Sequence, residues 1–324
     1  MDLSLVIPVL NEAASLRPLH GEIAAFAQRQ ALQVEMIFVD DGSSDESWPI
    51  LQELAQADER VKALRFRRNF GKAAALTAGL KEAQAPTIVT LDGDLQDDPA
   101  EIPKLLEALA RGQDVVSGWK QVRRDSWRRV IPSRVFNALV SWLTGVRLHD
   151  HNCGLKAYRA EVFREVKLYG ELHRFVPVLA AARGFRIGEA VVNHRPRLHG
   201  KSKYGSERFV RGFLDLLAVK FITGYGQRPQ HLLGFVGIAS FLFGFVGLTW
   251  LAVIWLIRLY DPAFSEPLHN RPLLVYSAAA LLLGFQMISI GLLASLLTAY
   301  HGGGADSYSV VATTFSNDRS EKGS

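Results

Sequence analysis

Cysteine is nearly absent from this chain, because Cys153 is the single one among 324 residues. One thiol cannot form an internal disulfide, and it cannot supply the set of cysteines that structural zinc usually requires. His149, His151 and His173 do not have the spacing of zinc ligands within one element either. We therefore expect a protein of a reducing compartment that holds no zinc, in which Cys153 is a small packing residue.

A secretory signal is also missing from the amino terminus. The apolar run Leu3–Val9 is short, has no basic region before it, and ends at Asn11 and Glu12. Residues 1–206 are therefore expected to form a domain that stays in the cytosol.

Charge is absent from two long stretches, residues 232–257 and 273–300, which contain no Asp, Glu, Lys or Arg. Each stretch is longer than the roughly 20 residues that a helix needs to cross a bilayer. We expect a two-helix membrane hairpin over residues 231–300, and the alternative is a pair of buried helices in a soluble core. Residues 301–324, rich in Gly, Ser and charge, are expected to form a flexible tail.

Positive charge is distributed unevenly around these stretches. Four basic residues precede the first stretch, and the loop between the stretches holds two. The four are Arg208, Arg211, Lys220 and Arg228, and the two are Arg258 and Arg271. Because Lys and Arg concentrate in cytosolic loops, this distribution favours an integral protein of a bacterial inner membrane with a cytosolic domain. The net charge of +5 indicates attraction to phosphate and anionic lipid, since the chain carries no nucleic-acid-binding motif.

Short apolar runs alternate with amphipathic segments in the first third of the chain. The pattern predicts five strands, at residues 3–8, 34–39, 61–66, 87–91 and 114–117. Between them it predicts four helices, at residues 12–30, 45–57, 71–83 and 99–111. This alternation is typical of an α/β domain with a mostly parallel sheet that is covered on both faces.

The pattern changes after residue 123. Helices are predicted at residues 128–144 and 175–183, and a further strand at 187–192. Residues 207–222 mix apolar and charged side chains, which favours a helix at the membrane surface within a juxtamembrane region of residues 207–230. The alternative for that segment is an amphipathic helix of the soluble domain.

Polar residues follow three of the predicted strands. Asp92 and Asp94 come directly after the fourth strand, and two carboxylates one residue apart at a strand end suit Mg²⁺ or Mn²⁺. The alternative is an acidic turn in which Asp serves only for capping. Asn11 and Glu12 follow the first strand, and Asp40-Asp41 ends the second. Because ligands bind beyond the carboxyl ends of parallel strands, we expect these groups to meet at one edge of the sheet.

Together and in this order, several motifs resemble those of the family-2 glycosyltransferases with the GT-A fold. The motifs that carry the resemblance are Val6-Ile7-Pro8-x-x-Asn11-Glu12, Val39-Asp40-Asp41-Gly42-Ser43, Arg68-Asn69-Phe70-Gly71-Lys72, Leu91-Asp92-Gly93-Asp94-Leu95-Gln96, Asp150-x-x-Cys153-Gly154-Leu155-Lys156, His173-Arg174-Phe175 and Arg195-x-Arg197-x-x-Gly200-x-Ser202-Lys203-Tyr204. Within the family the chain is most similar to enzymes that act on polyprenyl phosphate, such as dolichyl-phosphate mannose synthases and undecaprenyl-phosphate glucosyltransferases.

The resemblance implies a role for each matching residue. Four residues would line the nucleotide pocket with Asp92: Pro8, Glu12, Asp40 and Asp41. Asp92, Asp94 and Gln96 would bind a divalent ion, Mg²⁺ or Mn²⁺, and the donor diphosphate. Four residues match positions that hold the acceptor phosphate: Arg129, Ser133, Arg197 and Lys203. Asp150 occupies the place usually given to the catalytic base. Lys120 stands where the family often has Arg, and we leave it out of the site because Lys cannot grip phosphate bidentately.

The resemblance implies an inverting transfer of one sugar from a nucleotide-sugar, with UDP-glucose and GDP-mannose as the leading donors, to a polyprenyl phosphate. Two alternatives are a transferase for a neutral lipid such as diacylglycerol, and a catalytically silent protein that binds nucleotide-sugars. A phosphate monoester has a second pKa of about 6, so the acceptor needs little deprotonation at neutral pH. We therefore hypothesise that Asp150 mainly orients the acceptor or the basic residues that hold it, with weak base character. A homo-oligomer through the glycines of the first apolar stretch is a further expectation.

Overall fold

The computed structural model describes residues 1–121, 127–166, 172–196, 207–225, 229–261 and 271–301. The chain divides into two compact units, the first covering residues 1–219 and the second centred on residues 220–308. Arg197, Lys203 and the tail from residue 302 lie outside the described residues.

The first unit is built on a seven-stranded sheet in the order β3-β2-β1-β4-β6-β5-β7. Its strands are β1 (Leu3–Val9), β2 (Val34–Asp40), β3 (Val61–Arg65), β4 (Thr87–Thr90), β5 (Val115–Trp119), β6 (Lys156–Arg159) and β7 (Ile187–Val191). All neighbouring pairs are parallel except those of β6, which runs antiparallel to both β4 and β5. The prediction of an α/β fold with a mostly parallel sheet is therefore confirmed.

Helices cover both faces of this sheet because successive strand side chains point to opposite faces. The helices before β6 are α1 (Ala13–Gln30), α2 (Ser47–Ala57), α3 (Lys72–Glu82), α4 (Ile102–Ala110) and α5 (Trp127–Thr144). The main core packs α1, α2 and α4 against Leu5 and Ile7 of β1, whereas α3 packs on Val6 of the same strand. The sheet is thus buried between two helical layers. Ligands of such sheets bind beyond the carboxyl ends of the parallel strands.

The later helices are α6 (Val162–Glu165), α7 (Val176–Ala182) and α8 (Glu207–Tyr225). Val140 of α5, Val178 of α7, and Leu216 and Val219 of α8 form a smaller hydrophobic cluster. The predicted helices and strands agree with the observed ones to within a few residues. We expected no strand at residues 156–159, and β6 shows that this expectation was wrong.

The second unit contains two long helices, α9 (Pro229–Tyr260) and α10 (Pro272–His301). Within them, Gln230–Tyr260 and Pro272–Thr298 are long and apolar enough to cross a membrane. Only 17% and 11% of their most apolar windows are buried within the structure. Two buried helices of a soluble core would hide most of this surface, so their exposure favours an apolar surrounding such as lipid.

Small residues bring α9 and α10 close together. A methyl group added at Gly244 would lie 2.5 Å from the carbonyl oxygen of Ser277, and one at Gly237 would lie 2.9 Å from that of Gly284. Ser240 Oγ also donates to the Ala280 carbonyl at 2.8 Å. Three of the four glycines on which we based self-association, Gly237, Gly244 and Gly247, serve the contact between these two helices, whereas a methyl group at Gly234 would have nothing within 4 Å. A homo-oligomer stays a prediction.

Candidate active site

The ends of β1 and β2 are joined by hydrogen bonds through polar side chains. Asn11 donates its backbone N–H to Ser43 Oγ at 2.9 Å, and its side-chain oxygen accepts from the Ser44 N–H at 2.8 Å. Asn11 has a φ of 54°, in the left-handed region, where asparagine is one of the few tolerated residues. The Glu12 backbone N–H donates to Ser47 Oγ at 3.0 Å, so Glu12 begins α1 beside the start of α2.

Asp40 and Asp41, both buried, shape the neighbouring loops. Asp40 accepts from the Ser43 N–H at 2.8 Å, and Asp41 accepts from the backbone N–H groups of Phe70 and Gly71 at 2.7 and 2.9 Å. A methyl group at Gly42, whose φ is 75°, would lie 2.6 Å from the Arg68 backbone, so the loops approach at that glycine. Pro8 lies one residue before the end of β1 and is paired with Val39 of β2. The predicted nucleotide-pocket residues therefore lie at adjacent strand ends.

Asp92 lies at the end of β4, beside the amino terminus of α3. Its carboxylate contacts the ammonium of Lys72, and about a third of each side chain is exposed. Burial by the surrounding protein opposes the charge of Asp92, but the ammonium groups of Lys72 and Lys120 outweigh it and lower its pKa to about 2. Asp92 is therefore ionised at neutral pH and held between two cations, a setting that suits phosphate binding.

Asp94 and Gln96 share a tight turn just beyond Asp92. Asp94, 7% exposed, accepts from the Gln96 backbone N–H at 3.2 Å. Leu95 between them has a φ of 63°, which is strained for a leucine by roughly 1–3 kcal/mol. Such strain persists only where the surroundings impose it, and here it determines the positions of both flanking side chains.

His194 is a neighbour of this turn that the sequence did not reveal. Its Nε2 lies 3.4 Å from the side-chain nitrogen of Gln96, and residue 194 forms an isolated antiparallel bridge with Asp97. The next residue, Arg195, donates its backbone N–H to the Gln96 carbonyl at 3.1 Å and pairs with Asp98 and Glu22. Arg195 thus anchors the segment after β7 to the Asp94 turn.

Lys120, which we left out of the predicted site, lies beside it and pairs with Asp97. Its ammonium lies 2.8 Å from Oδ1 of Asp97, which is 1% exposed. Burial lowers the pKa of Lys120, but Asp97 more than compensates and raises it above its usual value. The other oxygen of Asp97 accepts from the Asp92 backbone N–H at 3.3 Å, so the Lys120–Asp97 pair directly supports the turn that carries Asp92.

Gly154 allows these carboxylates to approach the chain. A methyl group at this position would lie 2.7 Å from the carboxyl group of Asp92 and from Oδ2 of Asp97. Gly154 precedes β6, and its carbonyl accepts from Thr90 Oγ1 of β4 at 3.0 Å. Because β6 runs antiparallel, it begins at the edge where β4 ends.

Replacement of Gly154 by alanine is expected to lower the free energy of unfolding by about 1–3 kcal/mol, because the buried Asp97 carboxylate and the partly buried Asp92 carboxylate must both move. The measurement is thermal or urea unfolding of the purified protein. Gly21→Ala in α1 is the matched control, since nothing lies within 4 Å of the added methyl group. It should leave stability unchanged or raise it by up to about 1 kcal/mol. Equal stability of Gly154→Ala and wild type would contradict the observed packing.

Three further groups extend the charge pattern: Cys153 and Lys156 at the start of β6, and His173 in the helical turn Leu172–Phe175. The Lys156 ammonium, 4% exposed, donates to the Cys153 carbonyl, and burial together with nearby Lys72 lowers its pKa. Burial also lowers the pKa of His173 well below its usual value, and raises that of the Cys153 thiol to about 12. Cys153 is therefore an unreactive packing residue. Asp150 and Asp92 both act electrostatically on Lys156 and favour its charged form.

The acceptor-binding predictions are described only in part. Ser133 lies on α5 with Asn137 and Ser141, which recur every four residues on one helix face. Arg129 lies on the same helix, but its side chain is outside the described part of the structure. Asp150 follows α5 and is 1% exposed. The structure thus connects α5 to the loop of Asp150.

The donor set at the end of β4 fits a hard divalent ion. Among the described residues, no group of three His, Cys, Asp or Glu side chains could hold a metal. Asp92, Asp94 and the amide oxygen of Gln96 instead offer three oxygens, one of them from a nearly buried carboxylate. Mg²⁺ is usually bound by one or two carboxylates, with waters and substrate phosphates completing its coordination. This site therefore suits an ion that is bound together with a phosphate-bearing ligand.

The model of the Glycosyl transferase family 2 matches residues 4–167, which contain every strand discussed above except β7. The chain belongs to glycosyltransferase family 2. A dodecaprenyl-phosphate galacturonate synthase of Rhizobium johnstonii is 39% identical to this glycosyltransferase, over 96% of this chain and 92% of the relative. An undecaprenyl-phosphate 4-deoxy-4-formamido-L-arabinose transferase of Pseudomonas paraeruginosa is 38% identical, over 91% of this chain and 84% of the relative.

Solved structures with a GT-A fold resemble the glycosyltransferase as well. A glucosyl-3-phosphoglycerate synthase of Mycobacterium tuberculosis, in complex with Mn²⁺, UDP-glucose and phosphoglyceric acid, has a TM-score of 0.53. It is 17% identical, and the match covers 68% of this chain and 79% of that structure. This likeness confirms the predicted GT-A fold.

Proposed function

We propose that this glycosyltransferase moves a single sugar from a nucleotide-sugar to a polyprenyl phosphate at the cytosolic face of a membrane, with inversion at the anomeric carbon. The observation that carries the proposal is the edge of the sheet where Asp92 meets Lys72 and Asp94 follows in the next turn. The two relatives are named as polyprenyl-phosphate sugar transferases, and they align along nearly the whole chain. The names of the relatives support a polyprenyl phosphate as the acceptor. The carboxylates and Lys72 at the sheet edge support a nucleotide-sugar as the donor.

In this reaction an oxygen of the acceptor phosphate forms a bond to the anomeric carbon of the sugar. The bond from that carbon to the β-phosphate oxygen breaks, and the electron pair leaves with the nucleoside diphosphate. Asp92, Asp94 and Gln96 would hold Mg²⁺ or Mn²⁺, which supplies Lewis-acid stabilisation of the leaving diphosphate when bound. Lys72, already at Asp92, adds a positive charge beside the same group.

Pro8, Glu12, Asp40 and Asp41 are assigned to the nucleotide pocket, because they lie at the adjacent ends of β1 and β2. The hydrogen bonds of Asp41 to residues 70 and 71 keep the loop before Lys72 in place. The proposed pocket thus links nucleotide recognition to the position of Lys72.

Apolar side chains on α5 and α8 support an acceptor that arrives from a membrane. Trp142 and Val135 of α5 are 79% and 64% exposed, and Leu214 and Leu217 of α8 are 57% and 46% exposed. Two neighbouring helices of a soluble domain seldom expose so many large apolar side chains. We propose that these side chains face the lipid surface, with Ser133, Arg129, Arg197 and Lys203 binding the acceptor phosphate.

The experiment compares acceptors with the purified protein in detergent. Polyprenyl phosphate should be glycosylated, and diacylglycerol should not, when each is offered with Mg²⁺ or Mn²⁺ and a panel of nucleotide-sugars. The panel contains UDP-glucose, GDP-mannose, and the nucleotide-linked forms of the two sugars that the relatives' names contain, galacturonate and 4-deoxy-4-formamido-L-arabinose. Transfer to diacylglycerol instead would favour the neutral-lipid alternative, and nucleotide-sugar binding without turnover would favour a silent protein.

A further inference from the structure

The loop that carries Asp150 lies between α5 and β6. Oδ1 of Asp150 accepts from the Asn152 backbone N–H at 3.1 Å, which closes a short turn within the loop. This bond orients the carboxylate relative to its own backbone. The position of that backbone in the site must come from contacts with other elements.

Two paired residues of β5 and β7 provide these contacts. Ser117 is opposite Glu189 in the parallel register of the two strands, so both side chains project from the same face of the sheet. Ser117 Oγ, fully buried, donates to the Asp150 carbonyl at 3.1 Å. Glu189 Oε1 accepts from the Asp150 backbone N–H at 3.1 Å and from the His149 N–H at 2.6 Å. The peptide groups on both sides of Asp150 are thus held by neighbouring strands.

The second oxygen of Glu189 binds the same loop. Oε2 lies 2.7 Å from Nδ1 of His149, whose ring stacks on Trp119 with centroids 4.0 Å apart. The Glu189 side chain is only 16% exposed, so these contacts are partly shielded from water. Hydrogen bonds to an ionised acceptor are roughly twice as strong as neutral ones, and two backbone donors converge here on a single oxygen.

The opposite side of the loop is held by α5. Asn137 Nδ2 donates to the His149 carbonyl at 2.9 Å, and Ser141 Oγ lies 3.2 Å from Nε2 of His151. The loop is therefore held from two sides, by α5 and by Glu189 of β7. Loss of Glu189 would leave the Asp150 and His149 N–H groups without this acceptor and free the strand side of the loop.

We propose that Glu189 is a positioning residue that acts with Ser117 to fix the backbone of Asp150 and so aims its carboxylate at the acceptor. This inference depends on the proposed function, in which Asp150 orients the acceptor phosphate. Among the described residues, the Glu189 carboxylate bonds to His149 and Asp150, neither of which is assigned to the donor. Its removal should therefore affect turnover and leave nucleotide-sugar binding intact.

The test uses the full-length protein with polyprenyl phosphate and its best nucleotide-sugar. Glu189→Ala is expected to lower kcat by about 10–100-fold. The reason is that a displacement of the Asp150 carboxylate by about 1 Å would misalign the acceptor with the sugar. The KM for the donor should stay within about twofold of the wild-type value, because the residues assigned to donor binding are unchanged. Glu189→Gln retains an oxygen for both backbone N–H groups, and we expect it to restore kcat to within about fivefold of wild type. The exposed Glu161, which follows the far end of β6, gives the control Glu161→Gln.

Three results would overturn the role of Glu189. The first is a wild-type kcat in Glu189→Ala, and the second is a kcat in Glu189→Gln as low as in Glu189→Ala. The third is a parallel loss of donor affinity and thermal stability in both variants, which would make Glu189 a folding residue. If the wild-type protein itself does not glycosylate polyprenyl phosphate, the proposed function fails, and that result is distinct from wild-type turnover with an inert Glu189 substitution.

Discussion

Substitution of Asp94 by alanine is expected to reduce sugar transfer by about 10³-fold, to the background of the assay, because the leaving diphosphate loses its main electrostatic stabilisation. Asp94 is nearly buried, and its carboxylate and that of Asp92 lie one residue apart at the end of β4. The remaining oxygens of Asp92 and Gln96 would hold a divalent ion too weakly to support turnover.

The Asp94 side chain also accepts the Gln96 backbone N–H, so alanine could act by disturbing the turn. Asp94→Asn separates the two effects, because its amide oxygen can still accept that bond but carries no charge. We expect Asp94→Asn to be as inactive as Asp94→Ala, with an unfolding temperature close to that of wild type. Glu107→Gln on the exposed side of α4 is the control for loss of one negative charge. Turnover in either Asp94 variant at more than about a tenth of the wild-type rate would contradict the metal assignment.

Replacement of Asp150 by asparagine is expected to lower kcat by about 10²-fold at every pH between 6 and 9, since a misaligned acceptor reacts slowly whatever its protonation. The acceptor phosphate has a second pKa of about 6, so both enzymes should gain activity as pH rises through 6 and then reach a plateau. The ratio of the two rates should therefore be constant with pH. The measurement is kcat at saturating donor and acceptor across this range.

A base role for Asp150 gives a different pH profile. If Asp150 removed a proton from the acceptor, rising pH would supply the deprotonated acceptor without it, and the deficit of Asp150→Asn would shrink. A ratio that falls towards one at high pH would thus reject the orienting role. It would also weaken the inference about Glu189, because that residue is argued to act through the orientation of Asp150.

The parts of the fold that depend on local sequence pattern were predicted well. Strands such as β1 and β2 are mostly apolar, and each is followed by a helix that buries one apolar face. The position of Asp92 and Asp94 at the sheet edge was also predictable from sequence, because parallel strands end at the same edge. Their metal-binding role stays a prediction.

Sequence pattern missed β6 for a physical reason. Lys156–Arg159 has only four residues, with a basic residue at each end, yet it pairs between two other strands. Its stability comes from the two neighbouring ladders and from the buried Tyr158, which are tertiary effects. Without β6 the position of Gly154 beside Asp92 could not be anticipated.

Residues that enter the site from distant segments were missed for the same reason. His194 reaches Gln96 across 98 residues of sequence, and Glu189 meets Asp150 only because β7 pairs with β5 in one register. Lys120 was set aside since lysine is a poorer phosphate ligand than arginine, but its pairing with Asp97 gives it a different task. In each case the side chain is ordinary and its partner is decided by the fold.

The central claim is that a sugar, without its phosphate, moves from a nucleoside diphosphate to a lipid phosphate with a divalent ion present. The most direct measurement follows both products of one reaction, the released nucleotide and the lipid-linked sugar, with and without a chelator. The account predicts one nucleoside diphosphate for each polyprenyl-phosphate sugar of inverted anomeric configuration, and no product after chelation. Release of a nucleoside monophosphate, which would mean transfer of a sugar phosphate, or unchanged turnover in the chelator would contradict it.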